Sequence, residues 1–151
     1  MTNPSDPVEI RNWQRRPDGI TTSGKLEPGD PGRLAAIGVK HVINLALDDH
    51  PEALADERSL LGQVGINYTH IPVPFEAPTR EHVDQMREAL RQEIGPAHVH
   101  CIMNYRVTAF FYLLDRESGM PEREARAIMA QIWDPLMSDD PRVAPWRELI
   151  T

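Results

Sequence analysis

The heptapeptide His41–Leu47, HVINLAL, is apolar at nearly every position and has the length of a strand. A strand of that composition is buried on both faces, which in practice means a parallel sheet with helices packed above and below it. The flanking segments supply the alternation such a sheet needs. Asp30-Pro31 gives an N-cap followed by proline at the first helical position. Leu34, Ala35 and Ile37 then form an apolar face, and Gly38 closes the helix. Glu52–Val64 reads as a helix with Leu54, Leu60, Leu61 and Val64 on one side and Gly65 at its end. Tyr68–Val73 is the next strand, and Pro72, which has no ladder donor, belongs at its end or on an edge.

Pro74–Pro78 is a loop, after which Thr79 caps a helix carrying Val83, Met86, Leu90 and Ile94 at helical spacing. Gly95-Pro96 stops it. Ala97–His100 is a short strand that runs directly into Cys101. Arg106–Glu117 is an apolar helix, Pro121–Trp133 a polar-faced one, and the tail ends in a short helix, with Trp133 and Trp146 anchoring it to the core. Ile10–Gln14 and Gly19–Ser23 read as two further short strands. The expected fold class is therefore α/β, a mainly parallel central sheet of about four to five strands flanked by helices. The 14 prolines are spread along the chain and punctuate these elements; they do not form a linker.

A chain of 151 residues suits one domain, here residues 10–151, preceded by a polar, proline-containing arm at 1–9 that reads as flexible. The net charge of -7 argues against non-specific nucleic-acid binding and against an anionic membrane surface. The longest unbroken apolar run, Val107–Leu114 with Thr108 inside it, is far short of a membrane span, and no signal peptide is visible. These features lead to the expectation of a cytoplasmic protein. One cysteine permits no internal disulfide and no multi-cysteine zinc site. His41, His50, His70, His82 and His98 show no ligand spacing, so no metal and no cofactor is expected.

Ligands of parallel sheets bind at the carboxyl ends of the strands, and Cys101 sits at such an end. A lone buried cysteine is usually a small hydrophobe. At a strand-to-helix junction it has a further use. The loop amides and the helix N-terminus converge there, stabilising a thiolate and binding an oxyanion beside it. Arg106, on the first helical turn, adds a two-pronged donor for phosphate. Asn104 either takes a positive φ or holds the loop shape with its amide.

The segment HVHCIMNYRVT resembles the signature of the Cys-based protein tyrosine and dual-specificity phosphatases, in which His-Cys is followed by five residues, Arg, and Ser or Thr. The segments ITTSGKL, GVKHVINLALDDHP, GINYTHIPVPFEAPT and VHCIMNYRVTAFFYLLDR are similar, in that order, to a bacterial dual-specificity-like subgroup. The resemblance implies a Cys-based phosphatase-like fold. It also implies hydrolysis of a phosphate monoester, on a phosphorylated protein or a small phosphoester, through a phosphocysteine on Cys101. Arg106 and the amides of Ile102, Met103, Asn104 and Tyr105 would bind the phosphate. His100 would order the loop, and Thr108 would help the thiolate leave. The family's general acid is usually an aspartate on a loop after an upstream strand. In the matching stretch, Pro72–Pro78, Glu76 is the sole carboxylate and so the candidate acid.

One departure leaves alternatives open. Only four residues separate Cys101 from Arg106. Either the loop is one residue shorter and Arg106 keeps the arginine's role, or Thr108 keeps its family place and Val107 stands where the arginine would be. One helical position is about 100° of rotation, so the two readings aim Arg106 differently. An anion-binding protein without turnover is the second functional reading. A rhodanese-type sulfurtransferase, whose loop also places four residues between the cysteine and a basic residue, is the third.

Overall fold

The computed structural model describes residues 3–151; Met1 and Thr2, part of the expected flexible arm, lie outside the described residues. Within that arm one side chain is tied to the body. Asp6 is buried and accepts from Arg15 Nε and Nη2, at 2.9 and 2.6 Å to its nearer oxygens.

The sheet contains β1 (Gln14–Arg15), β2 (Thr21–Ser23), β3 (His41–Asn44), β4 (Asn67–His70) and β5 (Ala97–His100), in the order β1-β2-β5-β3-β4. Among the described residues only the β1–β2 pair is antiparallel; β2–β5, β5–β3 and β3–β4 are parallel. The strand with the most apolar sequence pattern is thus interior, between β5 and β4, as its composition requires. The helices are α1 (Asp30–Ala36), α2 (Glu57–Gln63), α3 (Arg80–Leu90), α4 (Tyr105–Glu117), α5 (Glu122–Ala130) and α6 (Ala144–Ile150), with a 3-10 turn at Pro135–Met137. The chain is an α/β sandwich whose sheet divides two apolar layers. Ile43, Val99, Cys101, Val107, Phe110 and Trp146 share the larger layer, while Val42, Leu34, Leu61 and Ile66 share the smaller one.

Several elements are shorter than their sequence patterns. β3 ends at Asn44 and does not reach Leu47, because the Asn44 side chain accepts the N–H of Ala46 at 2.9 Å and turns the chain. α2 begins at Glu57, five residues after the expected Glu52. Residues 50–56 are turns, and Asp56 takes a left-handed conformation at φ 58°. α3 stops at Leu90, before Ile94, because Glu93 and Gly95 both adopt positive φ. α5 ends at Ala130, which frees Trp133 to stack on Tyr105 with ring centroids 4.5 Å apart.

Alternation along β5 sends Val99 and Cys101 into the larger layer and His98 and His100 to the opposite face. His98 is fully buried, sandwiched between the hydroxyls of Thr21 and Ser23 at 2.8 Å each and stacked on Trp13. Burial, reinforced by the neighbouring His100, holds its imidazole well below its ordinary value near 6.5. The folded state therefore resists protonation that the unfolded chain accepts, so stability is retained above that value and falls as the pH drops below it. Thermal melting from pH 7.5 to 5 is expected to show a falling midpoint, with a smaller fall in His98→Gln. Identical pH slopes for the two proteins would contradict this role.

Candidate active site

The loop between β5 and α4 is shaped by the contacts on its outer side. Cys101 N–H donates to Ser23 O at 3.3 Å, Ile102 O accepts from Lys25 N–H at 2.9 Å, and Met103 O accepts from Asn12 Nδ2 at 2.9 Å. Asn104 closes the turn in the left-handed region, at φ 66° and ψ 9°. Its Nδ2 donates to Asn12 O at 2.8 Å and to Thr22 Oγ1 at 2.9 Å. Asn104 thus performs both tasks that its sequence position suggested, a positive φ and an amide that ties down the loop.

With the carbonyls engaged outward, the amides are left over. Among the described residues, none accepts from the backbone N–H of Ile102, Met103, Asn104, Tyr105, Arg106 or Val107. Successive free amides around a left-handed turn, continuing into a helix of 13 residues, form an anion-binding concavity.

Arg106 is the second residue of α4 and only 8% exposed. Its Nε donates to Val73 O at 2.8 Å, and its guanidinium lies over Phe75, 5.5 Å from the ring centroid. Among the described residues, no carboxylate is within ion-pairing distance of it. Val107 is fully buried in the core. Of the two, Arg106 lines a cavity and Val107 faces the core.

A cavity of about 360 Å³ lies against this loop. Arg106, Ile102, Met103 and Tyr105 line it from the β5–α4 side, and Phe75 and Glu76 from the loop after β4. Glu76 is exposed and makes no hydrogen bond among the described residues. The structure thus brings Glu76 and Arg106 to one cavity, linked by the bond from Arg106 to Val73. A larger cleft of about 460 Å³ holds Arg11, Lys25 and Arg33, but each of these cations is already paired with a carboxylate. It offers little net attraction to an anion.

Cys101 is fully buried, and its neighbours Ile102 and Met103, not Cys101 itself, form the cavity wall. Thr108 departs from the role that the family resemblance implies. Its hydroxyl donates to Asn104 O at 2.9 Å, and it has no bond to the sulfur. His100 Nδ1 lies 3.0 Å from Cys101 O, and its Nε2 lies 2.7 Å from Glu57 Oε2. Sequence reasoning missed two residues here. Glu57 reaches the loop through a contact 43 positions away in sequence, which no local spacing signals. His50 also lines the cavity, from the loop after β3, and was invisible for the same reason. Among the described residues, no group of three or more His, Cys, Asp or Glu side chains is placed to hold a metal, and no helix is long and apolar enough to cross a membrane.

No family model matches the chain, and no curated protein matches it. Solved structures do. A DUF442 protein of Shewanella putrefaciens, described as a candidate phosphatase, is 31% identical over 98% of this chain and 94% of its own, with a TM-score of 0.80. A candidate phosphatase from Neisseria meningitidis is 20% identical, with 91% and 97% covered and a TM-score of 0.70. P. aeruginosa TpbA, solved as a cysteine-to-serine variant in complex with phosphotyrosine, is 18% identical, with 99% and 86% covered and a TM-score of 0.66. The latter two share the fold. The chain belongs to the DUF442 family.

Gly24 fixes how closely the segment after β2 approaches the loop. A Cβ there would sit 2.4 Å from Ile102 O, a backbone atom with no room to retreat. Gly24→Ala is expected to push the loop outward and cost about 1–3 kcal/mol of stability. Denaturant melts would show it, and an unchanged midpoint would mean that the loop yields freely.

Proposed function

We propose that this protein hydrolyses phosphate monoesters through a phosphocysteine on Cys101. The observation that carries the reading is the buried Arg106, which among the described residues has no carboxylate partner and shares one cavity with Ile102, Met103 and Tyr105, whose amides have no acceptor there. A buried cation without a counter-charge is costly, and a bound dianion relieves that cost. Arg106 and the amides of Ile102, Met103, Asn104 and Tyr105 would hold the three equatorial oxygens as charge develops on them.

The thiolate of Cys101 attacks phosphorus, forming the S–P bond as the P–O bond to the leaving group breaks. Glu76, protonated, gives its proton to the departing oxygen and becomes a carboxylate. That carboxylate then takes a proton from a water molecule as the water oxygen attacks phosphorus. The S–P bond breaks, inorganic phosphate leaves, and the thiolate and the Glu76 carboxyl are restored. His100 acts on the loop through the Cys101 carbonyl. The reaction uses no metal and no cofactor, and the substrate is a phosphorylated protein or a small phosphoester.

A second reading, phosphate binding without turnover, is favoured by two observations. Cys101 is fully buried, and the Thr108 hydroxyl is committed to Asn104 O and so does not support the sulfur. Turnover of an aryl phosphate between pH 5 and 8 separates the two. Hydrolysis is expected in the wild type and absent in Cys101→Ser. Arg106→Ala is expected to lower kcat/KM by about 10²–10³. Glu76→Gln is expected to slow esters of poor leaving groups more than activated ones, since only the former need the proton. No turnover, combined with phosphate affinity that Arg106→Ala abolishes, would favour the binding-only reading.

A further inference from the structure

We infer that His50 is a substrate-binding residue: its uncharged ring donates a hydrogen bond, through Nε2–H, to the oxyanion held by Arg106. This rests on the reading of the Arg106 cavity as an oxyanion site, and it stands whether or not the bound ester is then hydrolysed.

A backbone donor fixes the tautomer. Glu52 N–H donates to His50 Nδ1 at 3.0 Å. A backbone amide nitrogen only donates, so Nδ1 is bare and the ring proton is on Nε2. A second proton on Nδ1 would set two donors against each other across that contact, so in this geometry the ring is neutral. The backbone of His50 is spent within the same turn, its N–H donating to Leu47 O at 3.3 Å and its carbonyl accepting from Ala53 N–H at 3.0 Å. Nε2 is left over, with no partner among the described residues.

His50 is half-buried and lines the same cavity as Arg106. Arg106 and the amides of Ile102, Met103 and Tyr105 supply donors from the β5–α4 side. The loop after β3 contributes Leu47 and His50 to the wall, and of the two side chains only His50 can donate.

The turn is tied to the anion loop itself. The Glu52 carboxylate is bonded by Arg11 Nη2 at 3.0 Å and by Lys25 Nζ at 3.2 Å. The same two residues grip the loop from outside. Lys25 N–H donates to Ile102 O at 2.9 Å, and Arg11 Nη1 lies 3.5 Å from Met103 Sδ. Exposed ion pairs of this kind add little stability. Their effect here is on spacing, since they couple the two walls of the cavity through one pair of cations.

A neutral N–H aimed at a charged oxygen makes a charge-assisted bond without adding a charge that needs a partner when the cavity is empty. It moves no proton, because loss of the Nε2 proton would leave an imidazolate. Proton donation to the leaving group stays with Glu76.

Isothermal titration with tungstate at pH 7.5 reads the contact without requiring turnover. In His50→Asn the side-chain oxygen can still accept the Glu52 N–H, as asparagine does from the amide two residues on, while no donor remains at the Nε2 position. The tungstate Kd is expected to rise about tenfold in His50→Asn, with the melting midpoint unchanged. His50→Gln, whose amide donor sits about as far out as Nε2, is expected to recover part of the loss. A histidine that only supports its turn gives wild-type affinity in His50→Asn, and this result overturns the inference. Nitrogen NMR of the wild-type ring, assigned by the signals lost in His50→Asn, is a second readout. Nε2 protonated, Nδ1 bare, and an Nε2 resonance that moves on adding tungstate are the expected results. A proton on Nδ1, or an Nε2 resonance indifferent to saturating tungstate, overturns the inference. A wild type that binds no tungstate brings down the oxyanion site and the role of His50 together. Binding that His50→Asn weakens, without turnover of any phosphoester, supports the role of His50 and counts against the proposed reaction alone.

Discussion

The left-handed turn at Asn104 decides what the carboxyl end of the sheet can do. Its two side-chain donations, to Asn12 O and Thr22 Oγ1, fasten the loop to the segment around β1 and β2. With Ile102 O and Met103 O bound on the same outer side, the amides that follow Cys101 have no protein acceptor among the described residues. The start of α4 follows from the same turn, and with it the direction in which Arg106 leaves the helix. Gly24, Asn12 and Thr22 carry no chemistry of their own, yet the shape of the loop depends on them.

Charge is arranged against the average of the molecule. The chain carries a net charge of -7, and most of its cations on the surface are already paired with carboxylates. Arg106 is the exception that matters, buried and unpaired. An anion drawn to this protein is drawn over a short range, after it has entered the cavity. Long-range attraction by the overall field works in the opposite direction. The bond from Arg106 Nε to Val73 O ties this cation to the segment carrying Glu76. The C-terminal part of the chain steadies the same segment, with Trp146 Nε1 donating to Phe75 O at 2.7 Å and Trp133 packed between Phe75 and Tyr105.

Much of this was legible in the residues alone. HVINLAL identified a buried parallel strand because its composition suits no half-exposed position, and the strand-helix alternation then defined the sheet. The loop residues from Cys101 to Thr108 were found as a contiguous motif, and Glu76 as the carboxylate of its loop. Element ends were less legible, because they are decided by tertiary contacts. Asn44 stops β3 with its own side chain, and Glu52, expected to open a helix, is instead held by Arg11 and Lys25. The aim of Arg106 was undecided because a spacing of four residues permits two geometries. In the fold Val107 packs in the core and Arg106 lines the cavity. Thr108 shows the reverse case: its position matches the family motif, while its hydroxyl serves the helix. Glu57 and His50 reach the site only through the fold, and no periodicity or motif marks them.

The central claim is that Arg106 and the amides after Cys101 are built around one oxyanion. A crystal structure of the protein with tungstate, a phosphate mimic, tests it directly. The account predicts the anion in the loop concavity, bound by both Nη groups of Arg106 and by the amides of Ile102 to Tyr105, with Cys101 Sγ as its nearest nucleophile. A loop without the anion at saturating concentration would contradict the account. So would an anion bound elsewhere while Arg106 stays committed to Val73 and Phe75.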